Sequence, residues 1–179
     1  LLASFMVVPM FAKEVLASAG APIGKRLKIT CYTEVTFKSP DKSKKPRPDG
    51  LIVLTSGKLK PIIEWACFVE VKIGNNPINE EQVDRYATFA RQIGVNSIIT
   101  ISNDLVTNPL QSPVKLKKRS FNLYHWSWAF LKVTAQRLIR TNSIEDEDHI
   151  YILSEFRRYV DSHKKLSNYT SMGKEWKES

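Results

Sequence analysis

Long apolar runs, cysteine and glycine are all in short supply in this chain of 179 residues. No apolar stretch reaches the roughly 20 residues that a membrane-spanning helix needs, so no membrane-spanning segment is expected. The opening "LLASFMVVPMF" is apolar but lacks a cationic segment before it, and so does not read as a secretory leader. There is no initiator Met either, and the chain can equally be a fragment of something longer. Two cysteines, Cys31 and Cys67, both lie in apolar strand-like stretches, outside any metal-ligand spacing. They read as buried free thiols in a reducing setting, so the expected location is cytoplasmic. Seven glycines are scattered, and none forms a Gly-rich phosphate loop. Cys/His zinc spacings, nucleophilic Ser or Cys signatures, internal repeats and low-complexity segments are also missing from the sequence.

Acid is the minority charge. Lys and Arg number 27 against 18 Asp and Glu, giving a net charge of +9 and a pI of about 9.6. That balance favours anionic partners, nucleic acid first and acidic membrane second. At 42% hydrophobic residues the chain can bury a core without disulfide staples. The length fits a single domain over residues 1–179.

The pattern of elements sets the fold class. "PMFAKEVLASAG" reads as a helix, with Pro9 at its first position and Gly20 as its stop. "KITCYTEVTF" alternates, and reads as a strand whose wetter face carries Thr30, Tyr32, Glu34 and Thr36. After a basic, Pro-containing loop come "LIVLT", a turn, and "WACFVEVKI", two more strands. "GNNPINEEQVDRYATFARQIG" reads as a helix capped by Asn79 and stopped by Gly94, with Val83, Tyr86, Ala87, Ala90 and Ile93 inward. "NSIITIS" and "FNLYHWS" are the fourth and fifth strands. A helical extension begins at about residue 127, capped by Ser127, and ends in a helix whose buried stripe is Ile150, Leu153, Phe156 and Val160. Hairpin-length links imply an antiparallel start, and a helix between strands three and four implies a parallel crossover. The expectation is an α/β fold, a mixed sheet flanked by helices.

One constellation carries chemistry. Glu70 and Lys72 are two apart on a strand and share a face. A hairpin of strands two and three brings Asp49 beside Glu70. Alone, these residues can be an exposed charge group in which Lys72 merely bridges Glu70. The strand around Glu70, however, is apolar on both faces, and burying charge costs several kcal/mol unless it is compensated. A divalent cation between Asp49 and Glu70 would compensate it. Mg²⁺ suits hard oxygen ligands, with Mn²⁺ as a substitute, and the Val71 carbonyl can complete the shell. Lys72 would then serve the attacking water and offset phosphate charge.

"RPDG", followed 21 residues after Asp49 by "EVK", resembles the PD-(D/E)xK nuclease superfamily, which has the restriction-endonuclease-like fold. Gln82 and Tyr86 resemble the QxxxY helix motif of its RecB-like branch. "YTEVTF", "RPDG", "EVK", "TISN", "HWSW" and "MGKEW" together resemble, more narrowly, an uncharacterised bacterial group. The resemblance implies a metal-dependent nuclease acting on nucleic acid, DNA before RNA. Its catalytic residues would be Asp49, Glu70, Lys72 and Gln82, and Tyr86 would join the nucleic-acid contacts. Gln82 has a local explanation as well, a capping box with Asn79, and Tyr86 can be core.

The superfamily often adds an acid from the preceding helix. Glu14 occupies that place but reads as solvated, and Glu34 is the better third carboxylate. Basic segments offer phosphate contacts: Lys42, Lys44, Lys45 and Arg47, then Lys115, Lys117, Lys118 and Arg119. Trp65, Trp126 and Trp128 read as core, and His125 as a satisfied structural histidine. Two other readings stay open, an inactive nucleic-acid-binding module on the same fold and an interaction domain of a longer protein. A homodimer would be needed to cut both strands together.

Overall fold

The computed structural model describes residues 1–24, 26–37, 46–115 and 121–167. Lys42, Lys44, Lys45, Lys117, Lys118, Arg119 and the "MGKEW" segment lie outside the described residues.

Five strands form one mixed sheet in the order β1-β2-β3-β4-β5. They are β1 (Lys28–Thr33), β2 (Gly50–Ser56), β3 (Ile62–Val71), β4 (Ser97–Ser102) and β5 (Asn122–Ser127). The β1–β2 and β2–β3 pairs are antiparallel, and β3–β4 and β4–β5 are parallel. This is the α/β arrangement the sequence implies. The long crossover between β3 and β4 contains α3 (Glu80–Gln92). A parallel neighbour cannot be reached through a tight turn, so a helix-sized excursion is required there.

The two sheet faces are covered differently. On one face, α1 (Leu2–Val7), α2 (Pro9–Ala17), α4 (Trp128–Arg140), α5 (Glu147–Ser162) and α6 (Lys164–Ser167) bury Ile52, Leu54, Cys67, Val69, Ile99 and Trp126. On the other, α3 buries Phe68 and Ile98 beneath Val83, Tyr86, Ala87 and Ala90. Every residue of β4 is buried because it is covered from both sides. Each of its fully buried isoleucines, Ile98, Ile99 and Ile101, contributes about 1.5–3 kcal/mol by burial. The helices after residue 127 therefore share one layer of the domain with α1 and α2.

Caps follow side-chain chemistry. Asn79 accepts from the Gln82 N–H, Ser127 from the Phe130 N–H and Asp146 from the His149 N–H, each starting its helix. Cys31 and Cys67 are buried and free. Trp126 and Trp128 are core, and Trp65 packs against it. His125 is fully buried, its ring nitrogens held by Thr100 Oγ1 at 2.9 Å and the Asp104 carbonyl at 3.0 Å. Among the described residues, no helix is long and apolar enough to cross a membrane.

Three sequence expectations need correction. The first strand ends at Thr33, not Phe37, because Glu34 takes a left-handed backbone (φ 51°). That turn breaks the alternation, so Phe37 packs under α3 while Cys31 faces the opposite core. β3 starts at Ile62, ahead of Trp65, since its ladder with β2 continues to Ser56 through a bulge. Ile93 lies past the end of α3 and is 45% exposed rather than inward. Two short helices, α1 and α6, were too brief to show periodicity. Gly50 has a reason outside turn chemistry: a Cβ there would come within 2.6 Å of Leu2 Cδ1 on α1.

Candidate active site

The site forms where the β2–β3 ladder ends. Gly50 pairs with Val69, so the next pair outward is Asp49 with Glu70. The pairing is closed by a side chain: the Val71 N–H donates to Asp49 Oδ2 at 2.8 Å. Because alternate residues share a face, Glu70 and Lys72 lie on the Phe68 side, under α3. Val69 and Val71 turn to the other core. Asp49 itself is exposed, whereas Glu70 is only 2% exposed.

Lys72 ties the elements together. Its Nζ donates to Glu70 Oε1 at 2.7 Å and makes a long contact to Gln82 Oε1 at 3.5 Å. Gln82 is aimed by its neighbour one turn on: its Nε2 donates to the Tyr86 hydroxyl at 2.8 Å, and that hydroxyl donates to the Arg47 carbonyl at 2.8 Å. An ammonium has three donors. Two of them are directed at Glu70 and Gln82, and the third is available to a phosphate oxygen or a water. The Trp128 indole N–H closes the far side on the Lys72 carbonyl at 3.2 Å.

Glu70 Oε2 is buried and has no hydrogen-bond partner among the described residues. An orphaned carboxylate oxygen in a packed interior is expensive, and native structures rarely leave one without a proton or an ion. Burial pushes the Glu70 carboxyl above its usual range and Asp49 adds to this, while Lys72 and the neighbouring Tyr86 hydroxyl, which falls short of a well-formed hydrogen bond to Oε2, oppose it. The Tyr86 hydroxyl is likewise pushed up to about 12, first by burial. Either a proton or a cation would satisfy the Glu70 oxygen. The donor set available to a cation is oxygen only: Asp49, Glu70 and main-chain carbonyls, which suits a hard divalent ion. Among the described residues no three Asp, Glu, His or Cys side chains converge as a metal cluster.

No protein-family model and no curated protein matches the chain. Among solved structures it is similar to the MspJI restriction endonuclease in complex with a 27-mer oligonucleotide. The TM-score is 0.39 at 17% identity, over 94% of this chain and 34% of that one. The chain thus spans about a third of that neighbour's length. So remote a likeness does not bear on activity, and the site is read from its own geometry.

Asp49, Glu70, Val71, Lys72, Gln82 and Tyr86 come together at this end of the sheet. Glu34 is adjacent in backbone, its N–H donating to the Asp49 carbonyl at 3.1 Å, but its side chain is exposed and left of the strand geometry that would aim it. Glu14 is elsewhere, paired with Arg137 on α4 at 2.5 Å. Tyr86, expected among the nucleic-acid contacts, is 5% exposed, edge-on to Phe68 and bonded to Gln82 and Arg47. Arg47 and Lys115 are exposed, and the Lys115 N–H contacts Glu80 Oε1 at 3.3 Å, docking that loop on the first turn of α3. Sequence reasoning passed over Asn103, which is 3% exposed. Its one visible signal is its place, an Asn directly after an apolar parallel strand.

The raised Glu70 carboxyl predicts a pH effect. The folded state holds this proton more tightly than the unfolded chain does. Stability from Glu70 is therefore fully present below the unfolded-state value, near 4.5, and is lost as pH rises through the higher folded-state value. In EDTA, Glu70→Gln should remove that loss, so the variant gains on wild type between pH 5 and 8. Urea midpoints for both proteins across that range decide it; parallel curves would show that Glu70 carries no such penalty.

Proposed function

We propose that this protein is a metal-dependent phosphodiesterase acting on nucleic acid, with DNA as the expected substrate. The observation that carries the reading is the buried, half-unpartnered carboxylate of Glu70, set beside Asp49 with Lys72 on its other oxygen. A surface charge cluster would have no cause to bury an acid. Asp49, Glu70 and the Val71 carbonyl are the groups that would hold Mg²⁺ or Mn²⁺. When bound, such an ion neutralises charge developing on the phosphate and acidifies water.

The chain's own residues supply the rest. Asp49 is fixed through Oδ2 by the Val71 N–H, and its side chain is exposed. Glu70 holds Lys72 in place through a 2.7 Å ion pair, and the spare ammonium donor orients water or offsets charge on a phosphate oxygen. Gln82, steered by Tyr86, limits the directions in which that ammonium can turn. Arg47 and Lys115 stand exposed for backbone phosphates.

The test is cleavage of plasmid and single-stranded DNA with Mg²⁺, Mn²⁺ or EDTA, beside Asp49→Ala. Expected is cutting with metal, none in EDTA, and none by the variant while it remains folded. A silent wild type that binds DNA with steep salt dependence would replace the reading with a binding module. Neither cutting nor binding would remove it. Direct conversion of plasmid to the linear form would report a homodimer acting on both strands.

A further inference from the structure

The short helix α6 is fastened to the loop that leaves the site. The Gly74 N–H, two residues past Lys72, is shared between the Lys165 carbonyl at 2.8 Å and Asn103 Oδ1 at 3.1 Å. Asn103 Nδ2 reaches the Leu166 carbonyl at 3.3 Å, and Leu166 is sunk in the core at 6% exposure. Gly74 is left-handed (φ 65°), and the stem of Lys165 lies over it, 3.6–3.9 Å from where a Cβ would be. A buried asparagine thus joins the end of β3, the end of β4 and α6 in one knot. A four-residue helix has too little intrinsic stability to form alone, so these contacts determine where it sits.

What the knot presents is charge. Lys164 and Lys165 are both exposed, and among the described residues neither takes part in an ion pair. The carbonyl of Lys165 is hydrogen-bonded at Gly74, which at no more than about 3.6 Å per residue is within roughly 7 Å of Lys72 along the chain. The carboxyl ends of parallel strands are where ligands of open α/β sheets collect, and both lysines stand at that end.

We propose that Lys164 and Lys165 form a phosphate-backbone clamp that holds a nucleic-acid strand across the end of the sheet beside Lys72. This rests on the nucleic-acid reading above. The clamp sits on the face opposite α3, so a strand held there would cross the sheet end between α6 and the site. It sets position and carries no sequence information, as backbone contacts do.

The test is the salt dependence of duplex DNA binding in EDTA by the full chain. Lys164→Ala/Lys165→Met removes both charges and keeps an apolar stem over Gly74. Lys58→Met/Lys60→Met removes the same charge from the exposed β2–β3 turn. That turn is at the other end of β2, seven residues long, or about 20 Å away at ~3.3 Å per residue. Each lost phosphate contact lowers the slope of log K against log salt by about 0.9. The α6 variant should therefore lose about two units of slope, with the turn variant unchanged. Equal slopes in all three proteins, or equal losses in both variants, overturn the clamp and leave the nuclease reading standing. A wild type that neither binds nor cuts removes both. A melting scan of the α6 variant separates lost contacts from lost structure.

Discussion

Lys72→Ala is expected to abolish most metal-dependent cleavage, by about 10²–10⁴-fold, the range for removing a positioned proton-handling group. At 1.36 kcal/mol per tenfold, that is about 3–5 kcal/mol of barrier. The size follows from how specifically the ammonium is held. Nζ is 2.7 Å from a buried carboxylate oxygen and 3.5 Å from an amide oxygen that Tyr86 itself orients. A solvated surface lysine would show none of this ordering. Removing it also takes the compensating charge from Glu70, whose carboxyl is already raised by burial and would rise further.

Two companions make the loss interpretable. Lys72→Arg should not restore the rate, since a planar guanidinium cannot aim separate donors at Glu70, Gln82 and a third point as an ammonium does. Glu70→Gln/Lys72→Ala should be no slower than the worse single variant, because residues acting as a unit are non-additive. DNA affinity should fall much less than the rate, as one charge among several contacts is lost. If Lys72→Ala cuts at the wild-type rate, the lysine is only a salt-bridge partner and the mechanism fails, whatever the wild type does.

The heart of this site could be read from the sequence because a hairpin has period two. Once "LIVLT" and "EWACFVEV" are paired, Asp49 must land beside Glu70, and Lys72 must share its face. Helical spacing likewise placed Gln82 and Tyr86 together, and Asn79 announced itself as a cap. What escaped depended on contacts or dihedrals with no local signature. Glu34 seemed to lie along a strand, but a single left-handed residue ended that strand at Thr33. Helical spacing turned Tyr86 inward, but its edge-on partner Phe68 comes from another element and leaves no local mark. Asn103 joins Gly74 to Leu166, partners 29 and 63 residues away, which no periodicity can reveal. Leu2 over Gly50 is the same kind of case.

Phe68→Ala is expected to cost about 3–5 kcal/mol of stability, the usual price of truncating a fully buried phenylalanine. That is a large part of the 5–15 kcal/mol or so that holds a typical domain together. Phe68 is fully buried and central to the smaller core, its ring 5.5 Å from Phe37, 6.4 Å from Tyr86 and 6.5 Å from Phe89. It is also two residues before Glu70 on the same face, so it supports α3 just where α3 delivers Gln82 and Tyr86. Stability and chemistry should therefore separate in a graded series. Phe68→Leu leaves a smaller void and should remain folded, but with α3 free to resettle on the sheet, Gln82 loses its register with Lys72 and turnover falls. Urea unfolding followed by far-UV and near-UV circular dichroism gives the stabilities, and cleavage at saturating DNA gives the rates. If Phe68→Ala unfolds at the wild-type midpoint, this core does not hold α3 in place. If Phe68→Leu loses stability but no rate, the position of Gln82 is immaterial to the reaction.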